Sequence, residues 1–223
     1  MDLTAYTDGY CERIDPSYWA EPVNAVTNAA FVLAAFWLWP RVRGLPLARA
    51  LVVVLGLIGV GSYLFHTHAQ IWALIADVTP IAVFILLYLF AANRHYWGMG
   101  TGWALAGTAA FIPYAALFVP AFSNLPFFSI SAAYWPVPVL ILVYGGLLWP
   151  RDPALGRGLV TGGGILVVSL VFRSLDEIVC PAVPLGTHFL WHILNGIMLG
   201  WMIEVYRRQR SRTRALEGGA PQG

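Results

Sequence analysis

Two histidines, His188 and His192, stand four positions apart in the apolar run "GTHFLWHILNG" (186–196). On a helix, residues i and i+4 lie on one face, one turn apart. Such a pair can offer two ring nitrogens to one metal ion, or it can hydrogen-bond to neighbouring helices. A second apolar run, "GVGSYLFHTH" (59–68), carries Ser62 and His66 at the same spacing. A third, "IWALIADVTPIAVFILL" (71–87), places Asp77 among aliphatic side chains. An ionisable group inside a hydrophobic span is costly and needs a functional or structural reason. Three imidazoles with one open position form a catalytic zinc site, in which bound water drops to a pKa near ~7. Asp77 could then take or orient the proton of that water, and Ser62 could donate to a developing oxyanion.

This chemistry requires that the three runs meet. The chain has 223 residues, 59% hydrophobic and 11% charged, with a mean hydropathy of +0.68. A soluble domain carries roughly twice that charge. Several stretches of ~17–24 residues have almost no charge and are long enough to cross a bilayer. The sequence predicts an all-α membrane protein, a bundle of seven transmembrane helices at 22–40, 47–66, 70–92, 101–119, 132–149, 157–175 and 185–206. The start of the fifth is obscured by the prolines of "PAFSNLPFFSISAAYWPVP" (120–138).

All thirteen basic residues are arginines, and their placement sets the orientation. With seven spans, Arg41, Arg43, Arg49, Arg94, Arg151, Arg157 and the five arginines from Arg207 to Arg214 fall on one side. Only Arg13 and Arg173 fall on the other. The positive-inside rule then puts the N-terminus outside and the C-terminus in the cytoplasm. Segments 1–21, 22–206 and 207–223 read as an acidic extracytoplasmic segment, the helical domain, and a basic, then flexible, cytoplasmic tail. Ser62, His66, Asp77, His188 and His192 come out at one depth, in the outer leaflet. His68 falls in an outer turn, His95 in a cytoplasmic loop, and Glu204 at the inner interface.

The same features limit other readings. The net charge is +2, and no basic patch is interleaved with aromatic residues, so nucleic acid is not an expected partner. Nothing indicates an obligate protein partner. The acidic N-terminus lacks the positive region of a cleaved signal peptide. Abundant Arg, Ala and Gly without Lys suggest a GC-rich bacterial genome, and hence a bacterial inner membrane.

Taken together, SxxxH, the span-three Asp and HxxxH resemble the alkaline ceramidase family, which is related to the adiponectin-type receptors. Two further stretches are similar to that family: "DGYCERIDPSYWAEPVNAVTNAAF" (8–31), with Tyr10-Cys11-Glu12 and Glu21-Pro22-Val23-Asn24, and "FRSLDEIVC" (172–180). The resemblance implies a zinc-dependent amidase that cleaves the N-acyl bond of ceramide or a similar membrane lipid. In that reading His66, His188 and His192 hold Zn²⁺, Asp77 acts on the zinc water and Ser62 stabilises the oxyanion. It also implies a Ca²⁺ site in the acidic segment, here from Asp8, the Tyr10 carbonyl, Glu12, Asp15 and Glu21. The match is incomplete there: Gly9 stands where the family has Asp, and Ile14 where it has Asn. Cys11 and Cys180 share the outer side, either as unrelated thiols or as a pair, and the resemblance favours a disulfide. Two other readings stay open: a zinc-containing lipid receptor, and a transporter or proton channel using Asp77 and the histidines as a relay.

Overall fold

The computed structural model of the chain describes residues 2–7 and 9–218, the last two by backbone alone. Seven helices account for most of it: α1 (Pro22–Val42), α2 (Pro46–His68), α3 (Ile71–His95), α4 (Thr101–Ser123), α5 (Pro136–Leu148), α6 (Pro153–Val179) and α7 (His188–Gly218). Proline at the first turn opens α1, α2, α5 and α6, where its missing N–H has no helical partner to lose. No strand forms among the described residues. The helices pack in chain order into a ring, with α7 returning to α1 and also touching α2. The core runs between them through Leu51, Leu55, Ile58, Leu170 and Met202. The outer faces remain apolar: Leu33, Phe36, Trp103 and Leu117 are all exposed. A helix that is hydrophobic all round suits a lipid surrounding rather than water.

Six helices, all but α5, are long and apolar enough to cross a membrane. The fifth expected span, 132–149, is a helix of only 13 residues, about 20 Å long against ~30 Å of hydrocarbon. Its shortness has a covalent cause. Pro136 and Pro138 lack the N–H groups that would bond Ala132 and Tyr134. The chain ahead of α5 winds instead through i→i−3 bonds, from Ser131 N to Phe128 O and from Tyr134 N to Ser131 O. These tighter turns link α5 back to a single helical turn at Pro126–Ser129.

Two other helices depart from the expected straight spans. α1 breaks at Asn28 into Pro22–Thr27 and Ala29–Leu38, then tightens to a 3₁₀ turn at Trp39–Val42. The Thr27 hydroxyl donates within the turn below it, toward the Val23 and Asn24 carbonyls, and Asn28 Nδ2 donates to Asn24 O. Side chains thus compete for carbonyls that the helix ladder would use. α7 does not end near residue 206 but continues to Gly218. Glu204 pairs with Arg207 and Arg208 at 2.7 Å each, at i+3 and i+4, which supports further helical turns. The expected tail therefore begins as helix.

Candidate metal centre and active site

His66 lies in the last turn of α2, and His188 and His192 in the first two turns of α7. All three are 1% exposed, and one ligating atom from each lies within 4.8 Å of the others. This is the one such His/Cys/Asp/Glu cluster among the described residues. Ser62, one turn below His66, and Asp77 on α3 are buried beside the cluster and line a common cavity. The structure thus brings together the five residues singled out by helical spacing or by their polarity within an apolar run.

The close approach of α2 to α3 depends on Gly61 and Pro80. Pro80 has no N–H for the Ala76 carbonyl, which is left without its helical donor. Gly61 packs against that same carbonyl and against Asp77 Cα, so a Cβ at position 61 would overlap the carbonyl and crowd Asp77. Ser62 follows directly, and its hydroxyl faces the Asp77 carboxylate.

The histidines are oriented by partners from other elements. Glu21, immediately before α1, places Oε2 2.6 Å from His66 Nδ1, leaving Nε2 available. The Thr27 hydroxyl, whose proton is directed to carbonyls of its own turn, lies 3.0 Å from His192 Nδ1. It accepts from that nitrogen, so the Nε2 lone pair faces the cluster. His188 is held through its backbone by Asp176, and its ring stacks on Tyr10 at 3.7 Å. His188 Nδ1, His192 Nε2 and Asp77 Oδ1 are buried without a hydrogen-bond partner. Orphaned buried acceptors are expensive. Three imidazoles converging with unused ring nitrogens fit a divalent metal that accepts nitrogen ligands.

The acidic segment lies over this centre. Thr7 N donates to Ala69 O at the α2–α3 turn, and Cys11 is joined to Cys180 by a disulfide. The four described residues among the five expected to hold calcium have protein partners. Asp8 lies outside the described residues. The Tyr10 carbonyl accepts from Arg13 N. Glu12 accepts the N–H groups of Val23 and Asn24 at 2.7 and 2.8 Å, opening α1. Asp15 accepts from Ser17 N. Glu21 is divided between Arg13, His66 and Asn24. Burial pushes the Glu12 carboxyl up against those hydrogen bonds. Burial also opposes the charge of Glu21, but the bonds from His66 and Arg13 outweigh it and hold that carboxyl below its usual range. The described carboxylates have protein donors already and do not form the cage of six to eight free oxygens that calcium takes.

From the Ser62–Asp77 end a cavity runs between α2, α3, α5, α6 and α7, lined chiefly by apolar groups such as Phe84, Ile141 and Met202. Along α3 its lining extends from Asp77 to Ala92, about 22 Å of helix at 1.5 Å per residue. Arg173 lies near the Asp77 end: it donates to Ile130 O and Ser131 Oγ, lies over the Tyr134 ring, and neighbours Tyr10 and Asp77. Neither Arg173 nor Thr27 carries a spacing signal in the sequence. Of the remaining ionisable residues, His68 packs on Trp72, His95 Nδ1 meets Tyr206 Oη at 3.1 Å, and Glu204 is buried under its arginines.

A family model described as Ceramidase matches residues 4–217 of this chain. No individually curated protein is matched at a significant level.

Proposed function

The chain belongs to the ceramidase family, and from that premise we propose that it is a zinc-dependent membrane amidase cleaving the N-acyl bond of ceramide or a ceramide-like lipid. The observation that carries this reading is the cluster of three buried histidines next to Ser62 and Asp77, which themselves line one end of a long apolar cavity. The polar end suits an amide and the apolar length suits its acyl chain.

His66, His188 and His192 hold the zinc. When bound, it supplies a Lewis acid and makes water nucleophilic at neutral pH. Asp77 accepts the proton of the attacking water through its unpartnered Oδ1 and returns it to the departing amine nitrogen. Ser62, whose hydroxyl rests on Asp77, turns it to hydrogen-bond the amide oxygen as negative charge gathers there. The disulfide-tethered N-terminal segment and the apolar cavity wall exclude bulk water from the reacting bond.

The membrane reading follows the arginines. With α5 and the turns ahead of it as a seventh crossing, the basic residues gather on the cytoplasmic side. The disulfide and the catalytic centre then face outward, where oxidising conditions favour a cystine. The arginine-rich, lysine-free composition supports a bacterial inner membrane.

The direct test is fatty-acid release from a panel of labelled N-acyl lipids by detergent-purified protein, with zinc measured in the same sample. Release that stops on chelation and returns with zinc supports the reading. Full zinc occupancy with no release from any member of the panel would overturn it.

A further inference from the structure

From the sequence Arg13 is expected, with Arg173, only as one of two arginines on the outer side, yet its side chain is fully buried. Nε lies 2.6 Å from Glu21 Oε1. Nη1 donates to the carbonyls of Asp15 and Ser17 at 3.2 and 3.3 Å, and Nη2 to that of His66 at 2.8 Å. One cation is therefore surrounded by a carboxylate and three carbonyl oxygens, drawn from the N-terminal segment, the start of α1 and the end of α2. This is where the resemblance leads one to expect calcium. Calcium needs six to eight oxygens, and two of the donors expected from the family are missing. Gly9 has no side chain to offer, and Ile14 is 87% exposed.

We propose that the Arg13 guanidinium replaces the calcium ion, so that this chain carries a built-in cation and folds its N-terminal segment without calcium. The charges support the exchange. The Glu21 carboxylate is matched by the one positive charge of Arg13. Glu12 is directed away, onto backbone N–H groups at the start of α1, and needs no second cation. A planar guanidinium also reaches donors in several directions at fixed angles, which suits oxygens spread over three segments. Arg13 is a positioning residue: it holds Glu21, and Glu21 holds the ring of His66.

The test reads calcium binding, melting and zinc affinity, none of which requires amide hydrolysis, so its outcome is separate from that of the proposed activity. Extracellular calcium modules fill at ~10⁻⁴–10⁻³ M, and a filled site raises the melting temperature by mass action. Purified wild-type protein should bind no calcium in a titration extending to a few mM, and its melting temperature should not change. Arg13→Ala frees the oxygens: it should melt lower and regain stability when calcium is added. Its zinc affinity should fall about 10–100-fold, as for loss of a partner behind a metal ligand. Arg13→Lys keeps the charge and should fall between wild type and Arg13→Ala in both melting and zinc affinity, which a merely space-filling role would not produce. Stoichiometric calcium binding by the wild type, lost in Glu21→Gln, would overturn the proposal. So would wild-type melting and zinc affinity in Arg13→Ala. If Arg13→Ala does not fold, the wild-type titration and Arg13→Lys still decide.

Discussion

Asp176 fixes the start of α7 through the backbone of His188: its Oδ1 accepts that N–H at 2.8 Å, and both residues are buried. The same oxygen takes the N–H of Thr187, and Oδ2 takes that of Cys11 at 2.9 Å. One carboxylate therefore caps the helix that carries two of the histidines and ties it to the N-terminal segment. Gly186 makes room for it. Its φ of +65° suits glycine, and a Cβ there would overlap the carboxylate.

Replacing Asp176 by Asn removes the charge and turns an amide NH₂ toward one of these N–H donors. Hydrogen bonds to charged groups contribute ~1.5–3 kcal/mol, so Asp176→Asn should lower stability by about that amount. Zinc retention against a competing chelator should weaken as well. Thermal melting and bound-zinc measurements check this, and a wild-type melting temperature would show that Asp176 is not the anchor described.

The disulfide is the second tie on the same segment. It joins residues 169 positions apart, and losing a native bridge typically costs ~2–4 kcal/mol. Cys11→Ser and Cys180→Ser should each lower the unfolding free energy by roughly that much, and the double variant by no more than either single one. Non-reducing mass spectrometry should find the two cysteines in one linked peptide. Additive losses in the double variant would mean that the thiols act separately.

The histidines, Ser62 and Asp77 were legible because a polar residue in an apolar span stands out, and helical spacing tells which of them share a face. The residues behind them were not. Glu21, Thr27 and Asp176 act at helix ends, on partners 45, 165 and 12 residues away, and no period in the chain links such pairs. Glu21 was read as a calcium ligand because it lies in an acidic stretch. Only the fold reveals that Arg13 and His66 occupy its oxygens. The start of α1 was legible from Pro22, whereas the sixth span is expected four residues past Pro153, where α6 begins, and the start of α5 was hidden by two prolines that force i→i−3 turns ahead of it.

Two glycines of α2 provide a paired test of the helix contact that places the site. A Cβ at Gly61 would overlap the Ala76 carbonyl and crowd Asp77, whereas at Gly56 the nearest atom, Ala35 Cβ, is at 3.9 Å. Overpacking costs ~1–3 kcal/mol, while Gly→Ala in a helix interior with room gains ~0.5–1 kcal/mol. Gly61→Ala should therefore melt lower and lose turnover through displacement of Ser62 from Asp77. Gly56→Ala should melt at or above wild type with activity intact. Equal effects of the two changes would remove the reason given for the α2–α3 approach.

Asp77 is the residue on which the proposed amide hydrolysis turns. The residue is 9% exposed, with its buried Oδ1 unpartnered and His66 and Ser62 as polar neighbours. Asp77→Asn keeps the shape but cannot accept and return a proton. General acid–base catalysis contributes ~10²–10⁴-fold, so amide turnover should fall by about that factor while zinc content stays near wild type. Ser62→Ala removes one donor among those that stabilise the oxyanion and should cost less, about 10–10³-fold. The order of the two effects is as informative as their size, because a packing role for Asp77 would reduce stability and zinc content along with turnover. If Asp77→Asn hydrolyses N-acyl lipid at the wild-type rate with zinc in place, proton transfer does not pass through this residue. The zinc-containing receptor then becomes the better reading of the same histidine cluster.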